Sequence, residues 1–274
     1  MVHSTVDVKI SSPTMTFAEY LEYKGEPGVL YELEHGHLIE MATTTGLHNQ
    51  ICKFLTVEYL RHFVASNMNL VAIDLTGVRT QKNTSRIPDV VVCERSFWTK
   101  ICQEKGAAVL DFNQKPLLVV EVTSQNWRVD YEDKLAEYSS LNIPEYWIVD
   151  PDRSRVRLCS KTPGKGNYSE QDFLPGSSVQ SVQFPGLVLP VNLVLDPPDV
   201  DYLVREEQRL REELEQLRQL NIVERQRADA AEQRADAAEQ RADAERQRAD
   251  AERQRALLLA QRLQALGIDP DSIK

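Results

Sequence analysis

The hydrophobic residues of the first 200 positions fall into runs that predict a β-sheet. Solid apolar runs at residues 89–93 and 117–122 predict strands covered on both faces, as in the middle of a sheet. Residues 145–149 form the next predicted strand, and 70–75 another. Alternation at 31–34 and 38–41 predicts a hairpin that turns at His35 and Gly36, and 155–160 with 168–174 predict a second hairpin.

Helical spacing appears between these strands. Thr16 and Glu19 form a capping-box pattern that predicts a short helix, and apolar residues at helical intervals predict a helix over 48–63. After a predicted loop at 127–129, a helix over 130–141 with Asp130 as its N-cap ends before Pro144. The strand–helix–strand order predicts a parallel crossover, so the fold class is α/β with a mixed central sheet flanked by helices.

The chain changes character near Asp201, after which glycine and proline are absent up to Gly267. From Gln226 a seven-residue unit repeats, which is typical of a long helix with one seam. We therefore expect a flexible N-terminus at residues 1–15, a globular domain at 16–200, a long helix or coiled coil at 201–267 and a tail at 268–274.

One heptad register fits the whole predicted helix. Leu203, Leu210 and Leu217 share one seam position, and Leu214 and Asn221 share the other. An asparagine in the seam favours a parallel dimer of fixed register, so we expect a homodimer or a helical partner protein. The alternative is a solvated single helix, which the acidic residues at seam positions favour: Glu224, Glu245 and Glu252.

Composition narrows the class of protein. The formal net charge is −10, which disfavours unspecific nucleic-acid binding but leaves a local basic groove open. The four cysteines include no closely spaced pair, so we expect buried free thiols in a reducing compartment. The sequence shows no secretory signal and no run long enough to span a bilayer, which predicts a soluble cytoplasmic protein without a membrane partner.

Two carboxylates stand at the ends of the solid apolar runs. Asp89 follows Pro88 at the start of one run, and Glu121 follows Leu117-Leu118-Val119-Val120 in the other. A carboxylate within buried strand sequence is costly unless a cation compensates it, and Mg²⁺ prefers oxygen ligands. Such a site could cut a phosphodiester, although each acid alone is more often a strand-start or strand-end residue.

Lys134 is the third candidate. Asp130, Lys134 and Tyr138 share one helix face, which could direct the ammonium group between Asp89 and Glu121. Glu32 in the first hairpin is an accessory candidate. Taken alone, a helical lysine is usually solvated. A transition-metal site at His35, His37 and His48 is disfavoured, because histidines in a turn are usually solvated and no cysteine pair supports zinc.

Four segments, taken in order, resemble the Uma family of putative restriction endonucleases. They read IPDVVV at 87–92, PLLVVEVTS at 116–124, DYEDKLAEY at 130–138 and IPEYWIVDP at 143–151. Residues around Glu32, Gly36 and His48 match the N-terminal part, so the resemblance covers about residues 16–195. That family is similar to the PD-(D/E)XK nuclease superfamily.

The resemblance implies a restriction-endonuclease-like core, DNA cleavage and dependence on Mg²⁺, with Mn²⁺ as an alternative. Asp89 and Glu121 would bind the metal, Lys134 would assist the attacking water, and Glu32 would be an accessory acid. Thr123 stands where the superfamily's usual lysine is found, and the lysine would come from the following helix instead. The alternative function is a catalytically silent nuclease fold that serves as a coiled-coil interaction or scaffold module.

Overall fold

The computed structural model describes residues 14–266 apart from residues 125, 162, 163 and 165. Most of the predicted N-terminal segment, the predicted tail at 268–274 and part of the predicted turn around Pro163 therefore lie outside the described residues. The described chain contains the following strands: β1 (Tyr31–Glu34), β2 (His37–Glu40), β3 (Leu70–Ile73), β4 (Gly77–Gln81), β5 (Thr84–Arg86), β6 (Val90–Glu94), β7 (Val109–Leu110), β8 (Leu118–Val122), β9 (Glu145–Asp150), β10 (Arg155–Lys161), β11 (Tyr168–Phe173), β12 (Ser178–Gln180) and β13 (Val188–Pro190). Its helices are α1 (Phe17–Glu22), α2 (Gly46–Ala65), α3 (Arg95–Ile101), α4 (Trp127–Tyr131), α5 (Asp133–Ser140), α6 (Val191–Leu195) and α7 (Val200–Ala265).

A six-stranded mixed sheet forms the centre, in the order β11-β10-β9-β8-β6-β3. β8 lies between β6, which is antiparallel to it, and β9, which is parallel. The parallel pair is joined through α4 and α5, so the predicted crossover is confirmed. The solid apolar runs form β6 and β8 because both of their faces are covered, and every residue of β8 is buried.

A second sheet of five strands runs β2-β1-β5-β4-β7, and β12 pairs with β13. The predicted hairpin is β1 and β2, in the register Leu33 opposite Leu38. His35 and Gly36 take φ values of 49° and 86° in its turn, which suits the right-handed twist of a two-residue hairpin loop.

Separate apolar cores cover the two faces of the central sheet. One contains α2, α6, β12 and β13 and includes the buried Tyr59 and Trp147. The other contains α3 and α5 together with Val78 and Leu110 of the five-stranded sheet. The predicted α/β class, with a mixed sheet flanked by helices and a long C-terminal helix, is confirmed.

The predicted helices agree with the structure at α1 and α2 and differ from it between residues 127 and 133. The Thr16–Glu19 capping box is present at α1, and α2 buries the residues of the predicted stripe. The prediction of a loop at 127–129 followed by one helix capped by Asp130 is wrong. Residues 127–131 are helical, Asp130 lies within α4, and the chain bends at Glu132 (φ −118°, ψ −68°) before α5.

The described residues form two compact units, which divide between Val204 and Arg205. The second is the greater part of α7, a helix of 66 residues in which none is buried. Helix rise makes its length about 100 Å. Within the described residues, no helix has both the length and the apolarity needed to cross a bilayer.

The cysteines are free thiols, as expected. The expectation that all are buried is wrong, because Cys102 is exposed just after α3 and Cys52 on α2 is partly accessible. Cys93 and Cys159 are buried in the second core.

Candidate functional site

Glu121 is buried in the central strand β8, with 3% of its surface exposed. It shares a face with Val119, the face that α5 covers. Its Oε1 accepts a hydrogen bond from the Tyr138 hydroxyl at 2.8 Å, and its Oε2 accepts one from Lys134 Nζ at 2.8 Å. The predicted face of the helix therefore does meet Glu121.

Lys134 is a buried lysine surrounded by carboxylates. Its Nζ lies 2.8 Å from Glu121, 3.3 Å from Asp130 and 3.9 Å from Glu32. Burial opposes its charge, but the attraction of these carboxylates outweighs burial and raises the pKa of Lys134 well above its usual value. Lys134 is therefore a buried, ion-paired lysine, and the alternative of a solvated surface lysine is wrong for this residue.

Glu32 reaches the same cluster from β1 and also fixes the chain before Asp89. Its Oε1 accepts a hydrogen bond from the backbone N–H of Ile87 at 2.9 Å, and its Oε2 accepts one from Arg86 at 3.2 Å. Ile87 is two residues before Asp89, so Glu32 constrains the approach to the start of β6.

Arg86 is a central residue that the sequence reasoning missed. It is 2% exposed and donates to Glu32, to Glu34 at 2.6 Å and to both carboxylate oxygens of Glu137 on α5, at 2.7 and 3.0 Å. Thr80 also donates to Glu137, at 2.7 Å. The sequence did contain a signal for Arg86, because a charged residue stands directly before Ile87 and the apolar strand that follows it.

Asp89 immediately precedes β6. Val90 is opposite Val120, and extending this register by one residue puts Asp89 across from Glu121. Its carboxylate is turned toward α2: Oδ1 lies 2.8 Å from His48 Nε2, and Oδ2 accepts a hydrogen bond from Val122 N at 2.6 Å. The structure thus brings Glu32, Glu121 and Lys134 into one contact cluster, while Asp89 borders it and contacts His48.

The cluster contains more carboxylates than cations. The network joined by Arg86 and Lys134 contains five carboxylates against two cations, and Asp89 adds a sixth carboxylate beside it. Burial raises the pKa of Glu121 well above its usual value; Lys134 counteracts this, whereas Asp130, Asp89 and Glu32 add to it. An additional cation would relieve this negative charge, and carboxylate oxygens suit Mg²⁺ or Mn²⁺.

Asp89 is also reached from solvent. A cavity of about 510 Å³ is lined by residues that include Glu40, His48, Cys52, Asp74 and Asp89. His48, Cys52 and Asp89 each offer a ligand atom, and these atoms lie within 4.8 Å of one another. His48 therefore lies beside Asp89 at this cavity, whereas His35 lies in the β1–β2 turn and His37 at the start of β2.

Comparison with known proteins identifies the family. The sequence model of Uma2, described as "Putative restriction endonuclease", matches residues 17–192. The chain belongs to the Uma2 family. The Uma2 match contains Glu32, Asp89, Glu121 and Lys134 and ends before α7.

A solved structure shares the Uma2 fold seen here. It is the crystal structure of a putative nuclease belonging to DUF820 from Anabaena variabilis, with a TM-score of 0.51 and 17% sequence identity. The similarity covers 65% of this chain and 94% of that one. The search of curated proteins returned no match. These findings confirm the resemblance inferred from the four segments and the fold that it implied.

Proposed function

We propose that this chain is a divalent-metal-dependent endonuclease that hydrolyses DNA phosphodiester bonds. The observation that carries the proposal is Lys134, a buried, charged lysine held against Glu121, Asp130 and Glu32 in an Uma2 family member. Burying so many ionisable groups is costly for a fold that only needs to be stable. Their concentration beside Asp89 and its cavity is what a catalytic site requires.

Asp89 and Glu121 would hold Mg²⁺, or Mn²⁺ as the alternative. When bound, the ion supplies a more acidic water and neutralises charge that develops on phosphate. Both oxygens of each carboxylate already accept one hydrogen bond or contact a ring nitrogen, yet an ionised carboxylate has about four lone-pair sites. The two residues therefore keep lone pairs for a cation.

The surrounding residues have separate roles in this proposal. Lys134 has three N–H donors, of which Glu121 and Asp130 engage two. The third, on the side of the more distant Glu32 carboxylate at 3.9 Å, would orient the attacking water or contact a phosphate oxygen. Glu32 acts as a positioning residue, because it binds the N–H of Ile87 and one nitrogen of Arg86. His48 and the N–H of Val122 orient Asp89.

An acidic protein needs basic side chains near the site in order to bind DNA. Arg128 is exposed on α4, and the guanidinium of Arg153 stacks 3.8 Å from the centre of the Trp127 ring. Trp127 is three residues before Asp130 of the cluster. This group of two arginines and an aromatic ring could contact phosphate and an unstacked base.

Metal binding gives the first test. Titration of Mn²⁺ into the full chain with a DNA oligonucleotide present is expected to show calorimetric binding, and Asp89→Asn/Glu121→Gln is expected to lose it. Asp74→Asn/Glu40→Gln removes the same charge from the lining of the cavity and should retain binding. Equal binding by the wild type and the Asp89/Glu121 variant would overturn the proposed ligands.

The same titration has a pH dependence. Burial raises the pKa of Glu121, a proposed ligand, so its carboxyl group keeps a proton to higher pH than a free carboxyl group does. This proton competes with the cation, and metal affinity should therefore increase as the pH rises. Affinity that falls with increasing pH would contradict the assignment.

A second candidate function rests on α7. Leu210, Leu214 and Leu217 are each more than half exposed on this helix and lie at the predicted seam positions. Such a stripe favours pairing with a second helix, and the same surface could serve a silent nuclease fold as an interaction or scaffold module.

Self-association tests this candidate. The full chain is expected to sediment as a dimer, and Leu210→Lys/Leu217→Lys as a monomer, because both leucines occupy the same seam position and a charge there opposes pairing. Gln208→Lys/Gln216→Lys adds the same charge outside the seam and should remain dimeric. A monomeric wild type would exclude the homodimer and leave a separate helical partner protein.

A further inference from the structure

His48, Cys52 and Asp89 form a group of three different metal-binding side chains. His48 and Cys52 are one helical turn apart on α2, so both side chains lie on the same helix face. Asp89 approaches from the residue before β6, and its Oδ1 lies 2.8 Å from His48 Nε2. One ligand atom from each lies within 4.8 Å of the other two.

We infer that these three residues form a site for a divalent transition metal of the zinc class. Imidazole nitrogen and thiolate sulfur select borderline and soft ions, whereas Mg²⁺ takes oxygen ligands. Three protein ligands with one position left open is the arrangement of accessible zinc sites. Neither His48 nor Cys52 is needed as a ligand by the Mg²⁺ site proposed at Asp89 and Glu121.

The pair formed by His48 and Asp89 needs only a small movement to admit the ion. At the usual Zn–N and Zn–O lengths, a tetrahedral site separates nitrogen and oxygen ligands by about 3.3 Å. The 2.8 Å contact between His48 and Asp89 would therefore open by roughly half an ångström. The open position would face the cavity, where Thr44, Asn49 and Asp74 also line the wall and could hold a water or a phosphate oxygen.

Cys52 would bind the ion through its sulfur. Burial, together with the carboxylates of Asp89, Glu121 and Asp74, raises the pKa of the free Cys52 thiol. A transition metal binds the thiolate form of cysteine, so a bound ion would displace the thiol proton.

The site shares Asp89 with the proposed Mg²⁺ site. A zinc-class ion held by His48 and Cys52 would occupy the Asp89 carboxylate and so compete with a cation shared with Glu121. Zinc should then inhibit Mg²⁺-dependent cleavage. This consequence rests on the proposed function, but binding at the three residues does not.

Cobalt absorption tests the ligand set in the full chain. Co²⁺ bound to a thiolate absorbs in the near ultraviolet by charge transfer from sulfur, and Co²⁺ bound by oxygen alone does not. We expect one Co²⁺ per chain to give this band, Cys52→Ser to abolish the band, and His48→Gln to weaken Co²⁺ binding. Cys102→Ser changes an exposed thiol in the same way and should keep the full band.

Each outcome decides one of the two proposals. Absence of the band in wild type, or a band that survives in a Cys52→Ser variant shown to be folded by circular dichroism, overturns the transition-metal site. If Mg²⁺-dependent cleavage is present without the band, only this inference fails. A band that depends on Cys52 without any cleavage supports this inference and counts against the nuclease.

Discussion

Arg86→Met is expected to lower the free energy of unfolding by about 3–5 kcal/mol, because removing one member of a buried charge network leaves its partners uncompensated. Arg86 is buried and bonds to Glu32, Glu34 and Glu137. Burial opposes its charge, yet these carboxylates raise the pKa of Arg86, so the guanidinium stays ionised. Methionine retains most of the volume and removes the charge.

Urea unfolding of the two proteins measures this effect. A companion variant, Arg95→Met, removes an exposed arginine that donates to the carbonyl of Leu70, and it should change stability by only about 0.5 kcal/mol. Adding Glu137→Gln to Arg86→Met should recover part of the loss, since one uncompensated carboxylate is neutralised. If Arg86→Met lowers the free energy of unfolding by less than about 1 kcal/mol, the buried carboxylates do not need Arg86 to compensate their charge.

The second large effect concerns chemistry. Glu121→Gln is expected to reduce DNA cleavage on the order of 10²–10³-fold or more, because it removes the charge of a proposed metal ligand. Its fold should persist, since Lys134 keeps Asp130 and Glu32 as partners and Tyr138 can donate to the glutamine oxygen. Activity and stability are therefore separable at this position.

Lys134→Met gives the complementary result. It should also reduce cleavage, but it leaves Glu121, Asp130 and Glu32 without their shared cation and should be clearly less stable than Glu121→Gln. Comparing the unfolding curves of the two variants distinguishes them. Equal stability of the two variants would mean that Lys134 is not the cation that holds this cluster together.

The strands and the buried carboxylate of β8 were predictable because their signals are local. A solid apolar run interrupted by Glu121 indicates a buried strand with a buried charge, and the spacing of Lys134 and Tyr138 indicates one helix face. Both features depend on neighbouring residues in the sequence. The bend at Glu132 was not predictable from spacing. Asp130 lies before the bend and Lys134 after it, yet the two residues still make the contact expected of residues four positions apart on one continuous helix.

The remaining contacts of the site depend on pairing between distant segments. Arg86 meets residues more than fifty positions away in either direction, on β1 and α5. Asp89 meets His48, which is 41 residues earlier on α2. The periodicity of apolar residues in the sequence does not indicate contacts between residues that lie so far apart along the chain. The sequence therefore indicated which residues could react, but not which residues hold them in place.

Cleavage of supercoiled plasmid DNA is the most direct test of the central claim. The full chain is incubated with Mg²⁺ or Mn²⁺, with a chelator, and beside the Glu121→Gln variant confirmed as folded by circular dichroism. The account predicts nicked or linear DNA from wild type with metal, and none with the chelator or from Glu121→Gln. Cleavage by Glu121→Gln at the wild-type rate, or no cleavage of any DNA by wild type with either metal, would contradict it.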